Sequence, residues 1–450
     1  MPDSAPADSL RAWLQTWRVY LEPACLRMLA LGFSAGLPYL LAYGTLSFRL
    51  TEAGIDIRTI GRLSWVGLAY AFKWAWAPLV DRMPLPGLTR WLGRRRGWLL
   101  LSQAVVALGL LGMAWADPRA ALTPLVWCAL TVAFASATQD IALDAYRIES
   151  APAQEQPALA ATYQTGYRVA MICAGAGALW LAARVQGQAT GYDQAAWQAA
   201  YLTMAALMAV GAITVLFSPE PAPAPLPPAR GAAEWIESAV IEPFIDFIRR
   251  YKWHAVLILA LIALYRISDE VMGVMANPFY AHMGYTKDEV AAVSKIYGVA
   301  MSLAGALAGG ALAMRFGVMR ILILGALLSA VSNLLFSWLA GYGHSVPALI
   351  AVISADNLAG GIASAAFVGY LSSLTNLSYS ATQYALFSSL MNLLPRFAGG
   401  FSGDYVKAFG YANFFASTAL LGLPALLLAV LATRLQGRKK PIEKTPPAQV

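Results

Sequence analysis

Long apolar stretches recur along this chain, and each is long enough to cross a lipid bilayer. A helix needs about 20 apolar residues to cross the hydrocarbon. Twelve such spans are predicted, at residues 25–48, 60–81, 97–116, 121–146, 157–183, 196–217, 254–280, 287–313, 318–340, 346–372, 380–405 and 408–433. Of the 450 residues, 59% are hydrophobic and only 12% are charged, against roughly 25% in a soluble domain. This excludes a soluble globular enzyme and predicts an all-α membrane protein with twelve transmembrane helices.

The longest polar interruption divides the spans into two sets of six. The predicted parts are a first six-helix bundle, a linker, a second six-helix bundle and a tail, at residues 1–217, 218–253, 254–433 and 434–450. Short echoes between the halves support a parallel duplication. The fifth span, for example, opens with Ala161-Thr162 and the eleventh with Ala381-Thr382.

The linker itself changes character along its length. A Pro-rich stretch from Pro219 to Pro228 is predicted to be extended. The following segment, Glu234 to Lys252, is typical of an amphipathic helix at a membrane interface. Its apolar residues are predicted to share one side: Trp235, Ile236, Phe244, Phe247 and Ile248.

Basic residues concentrate in the loops that follow even-numbered spans, and they indicate the orientation of the protein in the membrane. They lie between spans two and three, in the linker and in the tail: Arg82, Arg90, Arg94, Arg95, Arg96, Arg230, Arg249, Arg250, Lys252, Arg434, Arg438, Lys439, Lys440 and Lys444. Loops of the other parity have isolated basic residues such as Arg58 and Arg119. The positive-inside rule therefore predicts that both termini and the linker are cytoplasmic. The net charge of +8 is explained by these loops, and we expect no nucleic-acid partner.

Ionisable side chains also occur inside the spans, where each costs about 2.5–3.5 kcal/mol to insert. They are expected to pair or to line a water-filled cavity. Asp140, Asp144 and Arg147 on span four are spaced to share one helical face. Candidates for proton coupling are the central acids Asp140, Asp269, Glu270 and Asp356. On the seventh span, Arg266 and the two acids beside it could instead neutralise one another.

Charged residues near span ends have a different expected role. A gating or structural contact is predicted for Asp81, Arg82, Asp144, Arg147 and Arg315. Lys73 lies deeper than Asp81 on the second span, and it could pair with a carboxylate or contact a substrate.

Signals for soluble catalytic chemistry are absent from the sequence. The three histidines, His254, His282 and His344, are far apart and lack zinc-ligand spacing, and no P-loop pattern occurs. The cysteines, odd in number, form no disulfide framework. We expect no cofactor, no metal and no enzymatic activity.

Twelve spans, cytoplasmic termini, parallel halves and a basic loop after the second span resemble the major facilitator superfamily. In that family, spans one, four, seven and ten line the central cavity, and the buried acids here fall on spans four, seven and ten. Residues from Pro78 to Arg82 and from Arg94 to Gly97 resemble the family's loop signature, with Ala77-Pro78 in place of the usual glycine. Residues from Gly310 to Arg320 resemble its second copy.

A narrower resemblance is found in the first half. The runs from Phe72 to Arg82, from Gly93 to Trp98 and from Ala137 to Arg147 are similar to the AmpG muropeptide permeases. The resemblance implies a proton-driven importer of GlcNAc-anhydroMurNAc-peptides, a monomer in the bacterial inner membrane that works by alternating access and contacts membrane lipids, its sugar-peptide substrate and protons. Acetyl-coenzyme A transporters are distant relatives of that family, so the motif alone leaves the substrate open.

A large glycopeptide needs aromatic surfaces for its sugars and cations for its carboxylates. The candidates for substrate binding are Tyr39, Tyr43, Lys73, Gln139, Tyr163, Gln164, Arg168, Arg266, Asn357, Asn392 and Arg396. The alternative is a facilitator for another substrate, such as a peptide, an acyl-CoA-like cofactor or a drug. A membrane-embedded enzyme acting on cell-wall precursors is a further alternative, although no nucleophile and base are paired in the sequence.

Overall fold

The computed structural model describes residues 16–56, 59–60, 63–187, 191–222 and 231–436, and this part of the chain is helical without strands. Arg58, linker residues 223–230 and the tail beyond residue 436 lie outside the described residues. Within the described ranges, nine helices are long and apolar enough to cross a membrane. They correspond to predicted spans one, three to six, eight to ten and twelve.

The first half contains spans one to six. Their helical segments are Pro23–Leu41 and Gly44–Glu52 (span one), Leu68–Phe72 and Ala77–Arg82 (two), Arg94–Trp115 (three), Leu122–Ser150 (four), Gln156–Ile172 and Ala178–Gln186 (five), and Gln194–Leu207 and Ala209–Phe217 (six). A short helix, Leu88–Leu92, lies between spans two and three.

The second half contains spans seven to twelve. Their segments are His254–Leu264 and Ile267–His282 (seven), Gly298–Phe316 (eight), Val318–Tyr342 (nine), Val346–Leu374 (ten), Ser380–Gly399 (eleven) and Ser402–Gln436 (twelve), the last interrupted at Gly410. The linker is helical over Ala232–Ile236 and Glu242–Tyr251, with a π-helical segment Glu237–Ile241 between them.

Three predicted spans, the second, seventh and eleventh, do not form one long apolar helix. The second is interrupted by 3-10 turns at Ser64–Gly67 and Lys73–Ala75. The seventh breaks between Leu264 and Ile267, where Arg266 has non-helical backbone angles. The eleventh contains Pro395 and Arg396. Lys73, Arg266 and Arg396 lie in these three spans, and such charged residues face water or a partner rather than lipid.

Glycines allow the helices within each half to approach closely. A Cβ atom at Gly166 on span five would lie 2.0 Å from the carbonyl oxygen of Leu29 on span one. One at Gly305 on span eight would lie 2.3 Å from the carbonyl oxygen of Leu358 on span ten. In a membrane, where apolar burial does not drive helices together, this backbone contact supplies the packing energy.

Apolar contacts also join the two halves at one end of the molecule. Ala381 and Ala385 at the start of span eleven share a buried cluster with Ala77 and Val80 at the end of span two. Nearby, the Tyr20 hydroxyl donates to the carbonyl oxygen of Leu307 on span eight at 2.5 Å. This end is called the closed end below.

The linker helix packs against the second half through one of the apolar residues predicted to share a side. Phe247 is 5% exposed and packs against Phe387, at 5.1 Å between ring centres, whereas Ile248 is 57% exposed. Ile236 is also exposed.

Arg49 near the end of span one is a buried structural residue that the sequence analysis did not identify. It is fully buried and donates to the carbonyl oxygens of Met113 and Ala116, both at 2.6 Å, and to Gln194 Oε1 at 2.9 Å. Its guanidinium also lies over the Tyr201 ring at 5.2 Å. One side chain thus ties span one to the end of span three and the start of span six.

Replacing Arg49 with methionine should destabilise the fold by about 3 kcal/mol, since several buried acceptors lose a charged donor. The thermal midpoint of the purified protein in detergent, at one scan rate, checks this. Arg119→Met is the matched control, because exposed Arg119 contacts the same region over the Tyr192 ring at 4.7 Å. The control should cost less than about 1 kcal/mol. Equal shifts in the two variants would contradict the assignment.

Candidate functional site

Asp81 at the end of span two is the centre of a contact between the halves. Its carboxylate accepts from the backbone N–H groups of Ala381 at 3.1 Å and Thr382 at 2.7 Å, and from the Thr382 hydroxyl at 2.6 Å. These groups lie in the first turn of span eleven, where free N–H groups and the helix dipole favour an anion. Asp81 therefore caps a helix that belongs to the other half.

A buried ion-pair network surrounds this cap. Arg95 donates to Asp81 Oδ1 at 2.7 Å and to Glu149 Oε1 at 2.6 Å, and both pairs are almost fully buried. The Ser380 hydroxyl lies 2.8 Å from Arg95 and 2.5 Å from Glu149. Arg94 also donates to the Asp81 carbonyl oxygen. We call Asp81, Arg95, Glu149, Ser380, Ala381 and Thr382 the latch.

A second inter-half contact lies at the end of span four. Arg147 donates to Ser372 on span ten at 2.8 Å and to Gln156 at 2.9 Å, and its guanidinium lies over the Tyr384 ring at 5.2 Å. Its carboxylate partner is Asp144, at 3.4 Å. Lys73 also pairs with Asp144, at 3.9 Å, so the structure gives this lysine a carboxylate partner.

Asp140 and Gln139 lie deeper on span four and are buried. Gln139 donates to Ser34 on span one at 3.1 Å. Asp140 is within electrostatic range of Lys73 and Asp144, and its Oδ1 atom has no hydrogen-bond partner among the described residues. A carboxylate so placed is suited to exchanging a proton when its surroundings change.

Aromatic side chains of the first half form a shelf near the middle of spans one and two. Tyr39 and Tyr43 stack at 5.4 Å between ring centres, and Tyr70 meets Tyr39 edge-on at 5.5 Å. On span five, Tyr163 and Tyr167 lie 6.0 Å apart. Gln164, one residue after Tyr163, is half-buried.

Cations of spans five, seven and eleven interact electrostatically with one another or with these tyrosines. Arg168 on span five and Arg266 on span seven are close enough to repel one another, and Arg396 on span eleven acts electrostatically on Tyr43. Arg266 pairs with Glu270 at 2.9 Å, and these side chains remain 30% and 38% exposed. Charged groups at mid-span avoid lipid, so these side chains are expected to face a water-filled cavity between the halves.

Asp269 and Asp356, two further acids of the second half, contact serines of span nine, and Asp269 also interacts electrostatically with Arg266. Asp269 accepts from Ser329 at 3.2 Å, and Asp356 accepts from Ser332 at 3.2 Å. Ser332 also contacts the Ser329 carbonyl oxygen at 3.0 Å, which links the two sites along span nine. Asp269 and Asp356 interact electrostatically.

The remaining candidates make local contacts. Asn357 and Asn392 each donate to the carbonyl oxygen four residues earlier, at 3.1 and 2.8 Å. Arg315 is exposed, with its guanidinium over the adjacent Phe316 ring at 5.8 Å. Across the described ranges, no group of three or more His, Cys, Asp or Glu residues is arranged to hold a metal ion.

Sequence reasoning missed Glu149, Gln156, Ser372, Ser380 and Gln383. Gln156 and Ser372 contact the predicted gating residue Arg147. Glu149 and Ser380 contact Arg95, and Gln383 contacts Asp246 of the linker helix. Among these residues, only Glu149 could have been identified as a candidate from the sequence. It is an acid at the end of a span whose side of the membrane is rich in arginine.

Comparison with known proteins identifies the family. The sequence profile of the Major Facilitator Superfamily matches residues 24–272 and 258–449. The chain is 36% identical over 419 residues to the anhydromuropeptide permease of Escherichia coli K12, covering 93% of this chain and 81% of that one. It is 35% identical over 412 residues to putative transporter AmpG 4 of Rickettsia felis, covering 91% and 97%.

Solved structures agree on the fold. FucP in its outward conformation superposes with a TM-score of 0.67 at 16% identity, covering 92% of this chain and 99% of that one. The proton:xylose symporter XylE gives 0.61 at 14% identity, covering 94% and 96%. The sequence relatives are permeases and transporters rather than enzymes. The chain is therefore a multi-pass membrane transporter that belongs to the AmpG-type permeases of the major facilitator superfamily.

Proposed function

We propose that this protein imports anhydromuropeptides, GlcNAc-anhydroMurNAc-peptides, across the bacterial inner membrane for cell-wall recycling, driven by the proton gradient. The observation that carries the proposal is the 36% identity to a relative named anhydromuropeptide permease, over 93% of this chain. The relative's name concerns its own substrate, so the transfer to this chain requires a direct test.

The chemistry of the cavity supports this substrate class. An anhydromuropeptide has sugar rings and several peptide carboxylates. Stacked Tyr39 and Tyr43 offer the flat aromatic surface on which sugar rings pack. Arg168, Arg266 and Arg396 come from three spans and could each pair with a carboxylate.

The orientation follows from the basic residues at the closed end. Arg95 belongs to the latch and Arg82, Arg94 and Arg96 lie beside it, so the positive-inside rule supports a cytoplasmic location for this end and both termini. The conformation described is then closed to the cytoplasm. We propose six-helix units over 1–217 and 254–433, joined by the linker 218–253, that rock about the cavity to give alternating access, as a monomer.

Uptake of purified GlcNAc-anhydroMurNAc-tripeptide into proteoliposomes tests the proposal. We expect intact substrate to accumulate only under an inward proton gradient, as measured by mass spectrometry. Peptide, acyl-CoA and drug competitors separate this substrate from the alternatives. A folded, inserted protein that accumulates none of the muropeptide would overturn the assignment, and substrate recovered chemically changed would favour an enzyme.

Arginine variants test the cavity assignment in the same assay. Arg266→Gln should raise the KM for the tripeptide by about tenfold, because one charge-assisted carboxylate contact is lost. Arg184→Gln is the control, since Arg184 is exposed and lies over the Trp180 ring at 5.6 Å, away from the cavity residues. An unchanged KM in Arg266→Gln would remove this residue from the substrate site.

A further inference from the structure

The helical part of the linker, residues 231–251, lies across the closed end and contacts both halves. We call it the strap. One contact with the first half is made by Arg82, which donates to the Ser238 carbonyl oxygen at 2.7 Å. The same guanidinium lies over the ring of Tyr379, just before span eleven, at 5.8 Å. Arg82 therefore lies between the strap and the second half.

The strap also forms hydrogen bonds to the second half. Gln383 donates to the Pro243 carbonyl oxygen at 2.8 Å and to Asp246 Oδ2 at 2.9 Å, and it accepts from Arg250 at 2.9 Å. Asn376 donates to Asp246 Oδ1 at 3.1 Å.

Two further contacts strengthen this attachment. Arg250 donates to the Leu374 carbonyl oxygen at 3.0 Å. Phe247 is buried against Phe387 on span eleven. These bonds and the buried ring contact attach the strap to the second half.

The residues that hold the strap are the immediate neighbours of latch residues. Asp81 binds the start of span eleven, and the next residue, Arg82, binds the strap. Thr382 binds Asp81, and the next residue, Gln383, binds the strap. Adjacent residues of one helix cannot move independently, so separation of the latch must also disturb a strap contact.

We propose that the strap is a component of the cytoplasmic gate, in addition to the latch and the inter-half contact of Arg147. The strap moves with the second half and closes onto Arg82 when the gate shuts. Gln383 and Asp246 are the positioning residues of this contact. The inference rests on the alternating-access part of the proposed function, but it is independent of which substrate is transported. Opening the gate should break the Arg82–Ser238 contact and keep the bonds between Gln383, Asp246 and Arg250.

Distances between spin labels test which half the strap follows. Exposed Trp91, Leu377 and Arg249 report on the first half, the second half and the strap. Each is replaced by a labelled cysteine, in pairs, with Cys25, Cys128 and Cys173 changed to alanine. When Asp81→Asn opens the gate, the 249–377 distance should stay constant and the 91–249 and 91–377 distances should lengthen together. A strap that stays with residue 91 would overturn the inference.

A charge exchange tests whether the strap stabilises closure. Gln383→Glu places a carboxylate against Asp246 and should lower the closed-to-open ratio, read from the 91–377 distance, by about tenfold. Adding Asp246→Asn restores a donor opposite the new carboxylate, while Arg250 can still pair with it. The double variant should recover to within about threefold of the parent ratio.

Two further variants distinguish a shift of the gate from misfolding of the protein. Asn376→Asp retains the side-chain oxygen that accepts from the Ser378 N–H and repels Asp246, so it should shift the ratio in the same direction. Glu242→Gln is the control, since the Glu242 carboxylate pairs with exposed Arg249 of the strap itself, at 3.2 Å. It should leave the ratio unchanged.

If the closed population is unchanged in Gln383→Glu and Asn376→Asp, the strap merely packs on the gate and the proposal is wrong. Failure of the double variant to recover would equally remove the Gln383–Asp246 pairing as its basis. None of these measurements uses a muropeptide, so their outcome is separate from the success of the uptake assay.

Discussion

Replacing Asp269 with asparagine should lower proton-driven accumulation of substrate about 100-fold while leaving substrate exchange without a gradient within about threefold of the parent. Asparagine has the same shape and can still accept from the Ser329 hydroxyl, the 3.2 Å partner of the carboxylate. It cannot take up or release a proton. Exchange needs no net proton movement, so a variant that lost only coupling would retain it.

Variants of the other acids provide the comparison for Asp269→Asn. Asp356→Asn should behave alike, since Asp356 interacts electrostatically with Asp269 and is linked to it through Ser332 and Ser329. Glu270→Gln should also abolish accumulation, but it leaves Arg266 unpaired and should therefore change the KM for exchange as well. Asp404→Asn, at an exposed carboxylate on span twelve, is the control. Parental accumulation in Asp269→Asn would remove this acid from proton coupling.

Replacing Asp81 with asparagine should shift the gate away from the closed state by about 3 kcal/mol, which is about 100-fold in the closed-to-open ratio. The carboxylate accepts two backbone N–H groups and a hydroxyl from span eleven, as well as Arg95. An amide of the same size has one acceptor oxygen. It also lacks the negative charge that interacts favourably with the dipole at the N-terminus of span eleven. Distances between labels at residues 91 and 377 measure the shift.

The control for the latch is a helix cap that lies within one half. The Asp193 carboxylate accepts from the Ala195 N–H at 2.9 Å at the start of span six, so Asp193→Asn changes the same chemistry without touching the inter-half contact. It should leave the ratio unchanged. A parental closed population in Asp81→Asn would show that the other closed-end contacts, such as Arg147 with Ser372, are sufficient to hold the halves together.

The interrupted spans show where prediction from sequence reached its limit. Hydropathy placed a span at residues 254–280, and the chain is helical there, but Arg266 breaks the helix. The linker helix was expected from its composition, whereas its π-helical segment Glu237–Ile241 was not. In both cases the element was predictable and its local geometry was set by neighbours.

The sequence by itself determined the membrane class and the all-helical fold, and it placed acids on spans four, seven and ten. These are local properties, because about 20 consecutive residues decide whether a helix enters the bilayer. Only the tertiary structure decided the partners. Asp81 finds Thr382 across 301 residues of sequence, Lys73 is brought to Asp144, and Gln383 is brought to the strap. Such pairs depend on how helices pack and cross, which periodicity along one helix does not specify.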